Sequence, residues 1–397
     1  MTLPMNKINL HGNVKHRDGL MSKKSFIIES LTSLRFFAAL GVFLHHLGLL
    51  GTSNIPEVQF AARYFFNGYT GVTFFYILSG FIINYSFKRH IESGRFDYKD
   101  FIVFRVCRLF PVHLLALFLV LSLFGYFVNF DAVNKLSLVS NIFLVNSFIP
   151  DTAYYFSFNP VSWSISCEVF FYMAFCFLVG FSTSRLFILL LVIQAFNVYY
   201  IFNPPEIVSG HWLFYVNPLF RICDFIIGIL LCRLFLHSEF LPGKKLGTVM
   251  EISSLLFVAL TMYISTNYIS DMNIRYDFLF IPCMAFLVMA FSFNSGVLSN
   301  LLSNKLLILL GEASFSFYML HWMVIAKLTE VMNPSANNVR ELFFYIIVAF
   351  CISLFSSIII FKCYEKPINA FIRNAWIKYR YRGRAKSEAL SHQVSKN

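Results

Sequence analysis

The chain has 397 residues, 58% of them hydrophobic and only 13% charged, with a mean hydropathy of +0.67. A soluble globular domain carries about a quarter charged residues, so this composition, with 50 Phe and 20 Tyr in long apolar runs, excludes one and defines an integral membrane protein. The net charge of +12 would suit a nucleic acid if it were clustered, but it is dealt out between the apolar runs, which argues against that partner.

A membrane-spanning helix needs about 20 mostly apolar residues. Taken in chain order, ten windows meet that requirement: 32–50, 69–87, 109–128, 161–180, 185–202, 213–236, 249–268, 276–293, 313–332 and 342–362. The stretch LSLVSNIFLVNSFI, 136–149, is apolar too, but its 14 residues include two Asn and three Ser. It reads as a re-entrant or interfacial segment. With the N-terminus in the cytoplasm, 25 of the 32 Lys and Arg fall on the inner side, four fall on the outer side (Arg63, Lys135, Arg275, Arg340), and Arg35, Arg221 and Lys327 lie inside windows. That bias places both termini in the cytoplasm. Counting 136–149 as a span would invert every later loop. The expected fold is therefore all-α, polytopic, with about ten transmembrane helices.

No small-residue cleavage site closes the first apolar run, so it reads as an uncleaved span rather than a signal peptide. Residues 1–30 form a cytoplasmic N-terminal tail, 31–370 the transmembrane domain and 371–397 a basic cytoplasmic C-terminal tail. Both tails read as polar, loosely ordered ends, the second suited to anionic lipid. The eight Cys stand alone in or beside apolar segments, with no CxxC pair or His/Cys cluster. They read as small buried hydrophobes, with neither a disulfide framework nor a metal site.

Charged and titratable groups at bilayer depth cost a few kcal/mol each, on the order of 2.5–3.5 on insertion scales, so each needs a partner or a cavity. The candidates are Arg35, His45, His46, Glu168, Arg221, Asp224, Glu251, His321 and Lys327. Lys327 and Glu251 lie within reach of span ends and can snorkel. Arg221 and Asp224, three apart, neutralise each other on one helix. Arg35 and His46 are harder to explain structurally. Eleven steps at about 100° make three turns plus roughly 20°, so both leave one helix face, separated by roughly 16 Å. Arg35 sits at the cytoplasmic mouth and His46 well inside; His45 projects about 100° away from that line.

Three further constellations point to the same region. RVCR, 105–108, puts Arg105 and Arg108 on one face at the inner end of the third span, where paired guanidiniums suit a polyphosphate. WSISCEVFFY, 163–172, places Ser164, Glu168 and Tyr172 at i, i+4 and i+8, on one face of the fourth span. GEASFSFYMLHWMV, 311–324, lines up Ser314, Tyr318 and His321 on the ninth. In GYTGVTFFYILSGFII, 68–83, Gly and Ser are spaced so that helices or an acyl arm can approach the backbone.

Together these stretches resemble the acyltransferase 3 family, the bacterial membrane O-acyltransferases that decorate surface polysaccharides. The resemblance runs from about residue 30 to 370. It rests on Arg35 with His46, GVTFFYILSGFII, Arg105 with Arg108, WSISCEVFFY, RICDFIIG (221–228), GEASFSFYMLH and YEKP (364–367). The family often has a second acidic residue after the Glu of the fourth-span motif, where this chain has Val169, and ESLTSL (29–34) replaces a Gly- or Asp-containing stretch before the family's Arg. Many relatives continue into a periplasmic hydrolase-like domain, so a stand-alone form is expected here.

The resemblance implies transfer of an acyl group, most often acetyl, from cytoplasmic acyl-CoA to a hydroxyl of a lipid-linked glycan at the bacterial inner membrane. No metal and no nucleic-acid partner are expected from the cysteine pattern and the charge placement; acyl-CoA, the lipid-linked glycan and membrane lipids are the partners the resemblance implies. Arg35, Arg105 and Arg108 would hold the donor, and His46, Glu168 and His321 would form the catalytic group. Ser164, Tyr172, Ser314 and Tyr318 would contact substrate or support those residues. Two roles are open to His46: general base toward the sugar hydroxyl, or acylated relay. Glu168 would orient the imidazole or contact the sugar, and His321 would serve either substrate. A secondary transporter is the competing class, but no inverted repeat or matched pair of broken helices is visible.

Overall fold

The computed structural model describes residues 28–126, 128 and 134–394, with side chains described except at Arg89 and 381–394. Residues 1–27, most of the expected N-terminal tail, lie outside the described residues. All regular structure among the described residues is helical. Each of the ten apolar windows falls on one main helix: α1 (Glu29–His45), α3 (Gly71–Glu92), α4 (Tyr98–Leu123), α7 (Ser162–Leu178), α8 (Thr183–Phe202), α9 (Pro218–His237), α10 (Lys244–Tyr268), α12 (Ile281–Ser292), α14 (Lys305–Met332) and α15 (Val339–Ile360). Short helices α2 (Pro56–Phe65), α5 (Lys135–Ile142), α6 (Thr152–Tyr155), α11 (Met272–Arg275) and α13 (Val297–Leu302) sit between them, and α16 (Lys366–Val394) ends the chain.

Among the described residues, six helices are long and apolar enough to cross a membrane, those containing α3, α4, α8, α10, α14 and α15. The other four fall short for identifiable reasons. Helices α1 and α7 have 17 residues each and α12 has 12, against the roughly 20 that a bilayer asks for. Helix α9 has the length but carries Arg221, Asp224 and Arg233. Segment 136–149 is broken as its polar residues foretell, into α5 and a 3-10 turn, Asn146–Phe148.

Two of the sequence motifs turn out to be packing devices. Helices α3 and α9 make the most extensive contact in the molecule, followed by α1 with α14. A Cβ on Gly80 would collide with the Phe225 carbonyl, and one on Gly228 with the Ile77 carbonyl. These two glycines therefore set the closest crossing of α3 and α9, as small residues do between membrane helices.

Two expectations need correction. Glu251 does not snorkel: it is fully buried and accepts the backbone N–H groups of Gly296 (2.9 Å), Leu298 (3.0 Å) and Ser299 (3.2 Å), with the Ser299 hydroxyl at 2.6 Å. The carboxylate satisfies the orphan donors at the start of α13, which no residue of α13 itself can do. The C-terminal tail is not a loose end either, since α16 is continuous to Val394. It docks on α4 through Trp376 Nε1 to Asp100 Oδ1 (2.8 Å), Arg380 to Asp97 and Asp100, and Arg373 over the Phe104 ring. Lys327 behaves as expected at a span end, paired with Glu330 at 2.9 Å.

Candidate active site

An internal cavity of about 290 Å³ opens between α1, α3, α4, α7 and α14. Its wall includes Arg35, Arg105, Arg108, Ser164, Glu168, Tyr172, Ser314 and Tyr318. Eight of the ten residues given a donor, catalytic or supporting role from the sequence thus share one space; His46 and His321 stand apart. Helical periodicity explains the grouping. Ser164, Glu168 and Tyr172 present one face of α7, and Tyr172 donates its hydroxyl to Glu168 Oε2 at 3.1 Å. Helix α4 begins at Tyr98, well before its apolar window, so Arg105 and Arg108 are carried on a rigid helical extension braced by α16. Glu312, one residue outside the window read from the sequence, also lines the cavity, because α14 starts at Lys305.

The electrostatics of this space are one-sided. Among the described residues no carboxylate oxygen lies within 4.0 Å of a nitrogen of Arg35, Arg105 or Arg108. Arg105 rests on the rings of Phe87, Phe101 and Tyr172, 5.5 to 5.8 Å from their centroids, and its buried Nε has no partner. Three guanidiniums facing two carboxylates leave the cavity cationic. The three guanidiniums are half-buried and lack a carboxylate partner among the described residues, so the arrangement suits an anion that offers several oxygens.

The histidines form a second centre. His321 is fully buried, with Nδ1 2.7 Å from the Tyr318 carbonyl and Nε2 3.1 Å from His46 Nδ1. His46 Nδ1 is also 2.8 Å from the Val42 carbonyl. A carbonyl only accepts, so each Nδ1 carries the proton. His321 Nε2 then holds a lone pair facing the His46 Nδ1–H, and His46 Nε2 is left with its own lone pair free. These contacts fix the tautomer, so that when the pair is neutral His46 Nε2 is its basic nitrogen. His46 ends α1 rather than lying within it, and it is half-buried. His45, expected to point elsewhere, stands with its ring 5.1 Å from that of His46 and its Nδ1 2.7 Å from the Phe66 carbonyl.

Tyr318 links the two centres. Its ring lines the cavity and lies 5.7 Å from the His321 ring, and its hydroxyl is 2.8 Å from Ser164 Oγ. Glu168 makes no hydrogen bond to either histidine; its partner is Tyr172.

A buried ionic cluster lies behind the wall. Arg221 meets Asp224 at 2.9 Å, as its spacing foretells, and also Asp277 at 3.2 Å. Asp277 stands before α12 and is visible only once the helices pack. Cys223 Sγ and the two carboxylates lie within 4.8 Å of one another, and the guanidinium already supplies the cation those carboxylates require.

Fold and site define a multi-pass membrane protein built around a cationic internal cavity and a histidine pair. The chain belongs to the acyltransferase 3 family: residues 28–362 match that family's acyltransferase domain. It is 26% identical to the acyltransferase MdmB of Streptomyces mycarofaciens over 79% of this chain and 83% of that protein. Identity is 25% to a Staphylococcus aureus (strain COL) protein provisionally named O-acetyltransferase, over 77% of this chain and 52% of the relative. It is 27% to a Bacillus subtilis (strain 168) protein, YrhL, provisionally named peptidoglycan O-acetyltransferase, over 86% and 55%. The chain thus spans about half the length of these last two relatives. No solved structure matches.

Proposed function

We propose that the protein is a membrane O-acyltransferase that moves an acyl group, acetyl first among them, from cytoplasmic acyl-CoA to a hydroxyl of a cell-surface polysaccharide or its lipid-linked precursor, of the O-antigen, capsule or exopolysaccharide kind. The observation that carries this reading is the cavity with three guanidiniums and, among the described residues, no ion pair to any of them. Phosphate groups of acyl-CoA fit such a site, because each guanidinium can fork onto two oxygens. The relative named for peptidoglycan O-acetylation supports a glycan hydroxyl as the acceptor class. The full reading has the domain spanning 31–370 and crossing the bacterial inner membrane ten times with both ends inside.

In the reaction, the acceptor hydroxyl attacks the thioester carbonyl while its proton passes to His46 Nε2. The carbon–sulfur bond breaks, an ester forms, and the proton returns to the departing thiolate. His321 holds the His46 ring, and Tyr318 marks the passage from the arginines to the imidazole. An acyl-His46 relay is the variant in which the same nitrogen attacks first.

Two expected results follow. Reporter fusions after residues 60, 150, 207 and 336 should read the outer side and one after residue 98 the cytoplasm; an outer C-terminus would reverse the topology. Arg108→Lys keeps the charge but loses the fork, so acetyl-CoA affinity of the purified protein should fall about tenfold or more, the scale of one charge-assisted hydrogen bond. Unchanged donor affinity in both Arg108→Lys and Arg105→Ala would leave these arginines as topological signals only.

A further inference from the structure

His46 must receive two substrates, and the cavity supplies a route for only one of them. The donor cavity does not reach His46, and the imidazole is half-buried at the end of α1. Beside it lie the connections between α2 and α3, α8 and α9, and α11 and α12, which carry Phe66 and Tyr69, His211 and Tyr215, and Tyr276. Resting on the acyl-transfer reading above, the geometry points to a carbohydrate-binding subsite on that side, formed by His45, Phe66, His211 and Tyr276 over the buried rings of Tyr69 and Tyr215.

These six residues come from separate parts of the chain and form one continuous cluster of rings, in which Tyr69 and Tyr215 are buried and His45, Phe66, His211 and Tyr276 make the accessible edge. The His45 ring lies 5.2 Å from Phe66 and 5.5 Å from Tyr69. Tyr69 meets Tyr215 edge-on at 5.5 Å, and Tyr215 stacks on Tyr276 at 5.7 Å with 28° between the planes. His211 closes the floor, 5.4 Å from Tyr215 and 5.2 Å from Tyr276. The surface begins one ring away from the base, since His45 and His46 are 5.1 Å apart.

Two features separate this floor from ordinary lipid-facing aromatics. Its inner rings are fixed by hydrogen bonds: Tyr215 donates to the Tyr69 carbonyl (3.1 Å) and Tyr69 to the Arg275 carbonyl (2.9 Å). Its half-buried groups are polar and open. Nε2 of His45, Nε2 of His211 and the Tyr276 hydroxyl have no hydrogen-bond partner among the described residues. A floor of rings with imidazole and phenol groups standing free at its edges matches a pyranose, whose C–H face lies on a ring while its hydroxyls take the polar groups. A lipid chain would leave those groups unpaired, which is unfavourable in a desolvated site. The same floor would leave one sugar hydroxyl near His46 Nε2.

The test uses detergent-purified full-length protein with acetyl-CoA, following free thiol with chitotetraose, maltotetraose or 1-octanol as acceptor. One of the two glycans should accelerate thiol release. In His211→Ala and Tyr276→Ala its half-saturating concentration should rise about tenfold, a shift on the scale of one aromatic or hydrogen-bonding contact, with the maximal rate within about threefold and acetyl-CoA affinity unchanged. Tyr276→Phe, which keeps the ring and loses the free hydroxyl, should restore only part of the affinity, and the unchanged maximal rate and acetyl-CoA affinity show that the effect is not one of folding. Acceleration by octanol alone, by neither glycan, or a loss confined to the maximal rate would overturn the carbohydrate subsite while leaving donor binding intact. Failure of wild type to bind acetyl-CoA would instead remove the acyl-transfer reading itself.

Discussion

His46→Gln is expected to lower acyl transfer by roughly 10²–10⁴-fold, the usual worth of a positioned acid–base group, while expression and acetyl-CoA binding stay near wild type. The expectation follows from which atom is left free. Nδ1 of His46 is committed to the Val42 carbonyl and faces His321 Nε2, so Nε2 is the basic nitrogen. Glutamine reproduces the hydrogen-bonding reach of the ring but has no nitrogen lone pair to take a proton. His46→Ala should be equally inactive. His321→Ala should do less damage, because it removes the neighbour that fixes the imidazole and leaves the base itself. Single-turnover thiol release at saturating acetyl-CoA separates chemistry from binding. A near-native rate in His46→Gln would make the residue a core histidine and move the search to His321 or Glu168.

The sequence made some of this arrangement legible and hid the rest for reasons of scale. Residues that share a site through one helix could be read from periodicity: Ser164, Glu168 and Tyr172 lie on one face of α7 and do meet in the cavity. Arg35, Arg105 and Arg108 could be grouped because charge bias put them at one membrane face. What could not be read was contact across helices. His46 and His321 are 275 positions apart and meet only because α1 packs along α14. Glu312 was missed because it stands one residue before the apolar window, and Asp277 was not singled out at the edge of the window 276–293. Glu251 reads in the sequence as a snorkelling group because its partners lie on another element, at the start of α13. The aromatic floor was hidden by abundance, since the chain has 50 Phe and 20 Tyr and only tertiary structure shows which rings stand beside a free imidazole.

Arg221→Ala should cost the fold more than any surface change, about 3–5 kcal/mol, because it strips the cation from two buried carboxylates. Arg221, Asp224 and Asp277 are 0, 0 and 6% exposed, so water cannot take over the lost interaction. The guanidinium does more than neutralise. It donates to Thr73 at 3.0 Å and sits over the Tyr76 ring at 5.0 Å, and Tyr76 in turn holds the Ser164 carbonyl at 3.1 Å on the cavity wall. Loss of the arginine thereby reaches the site as well as the stability of the α3–α9 pair. The variant should lose its monodisperse peak on fluorescence size exclusion after mild heating that wild type survives. Adding Asp224→Asn and Asp277→Asn to Arg221→Met should recover part of the loss, because residues in one charge network are not additive and the triple change removes the three charges of this cluster together. If Arg221→Ala melts within a few degrees of wild type, the two carboxylates are held without the arginine, and the cluster has no part in fixing Tyr76 against the cavity.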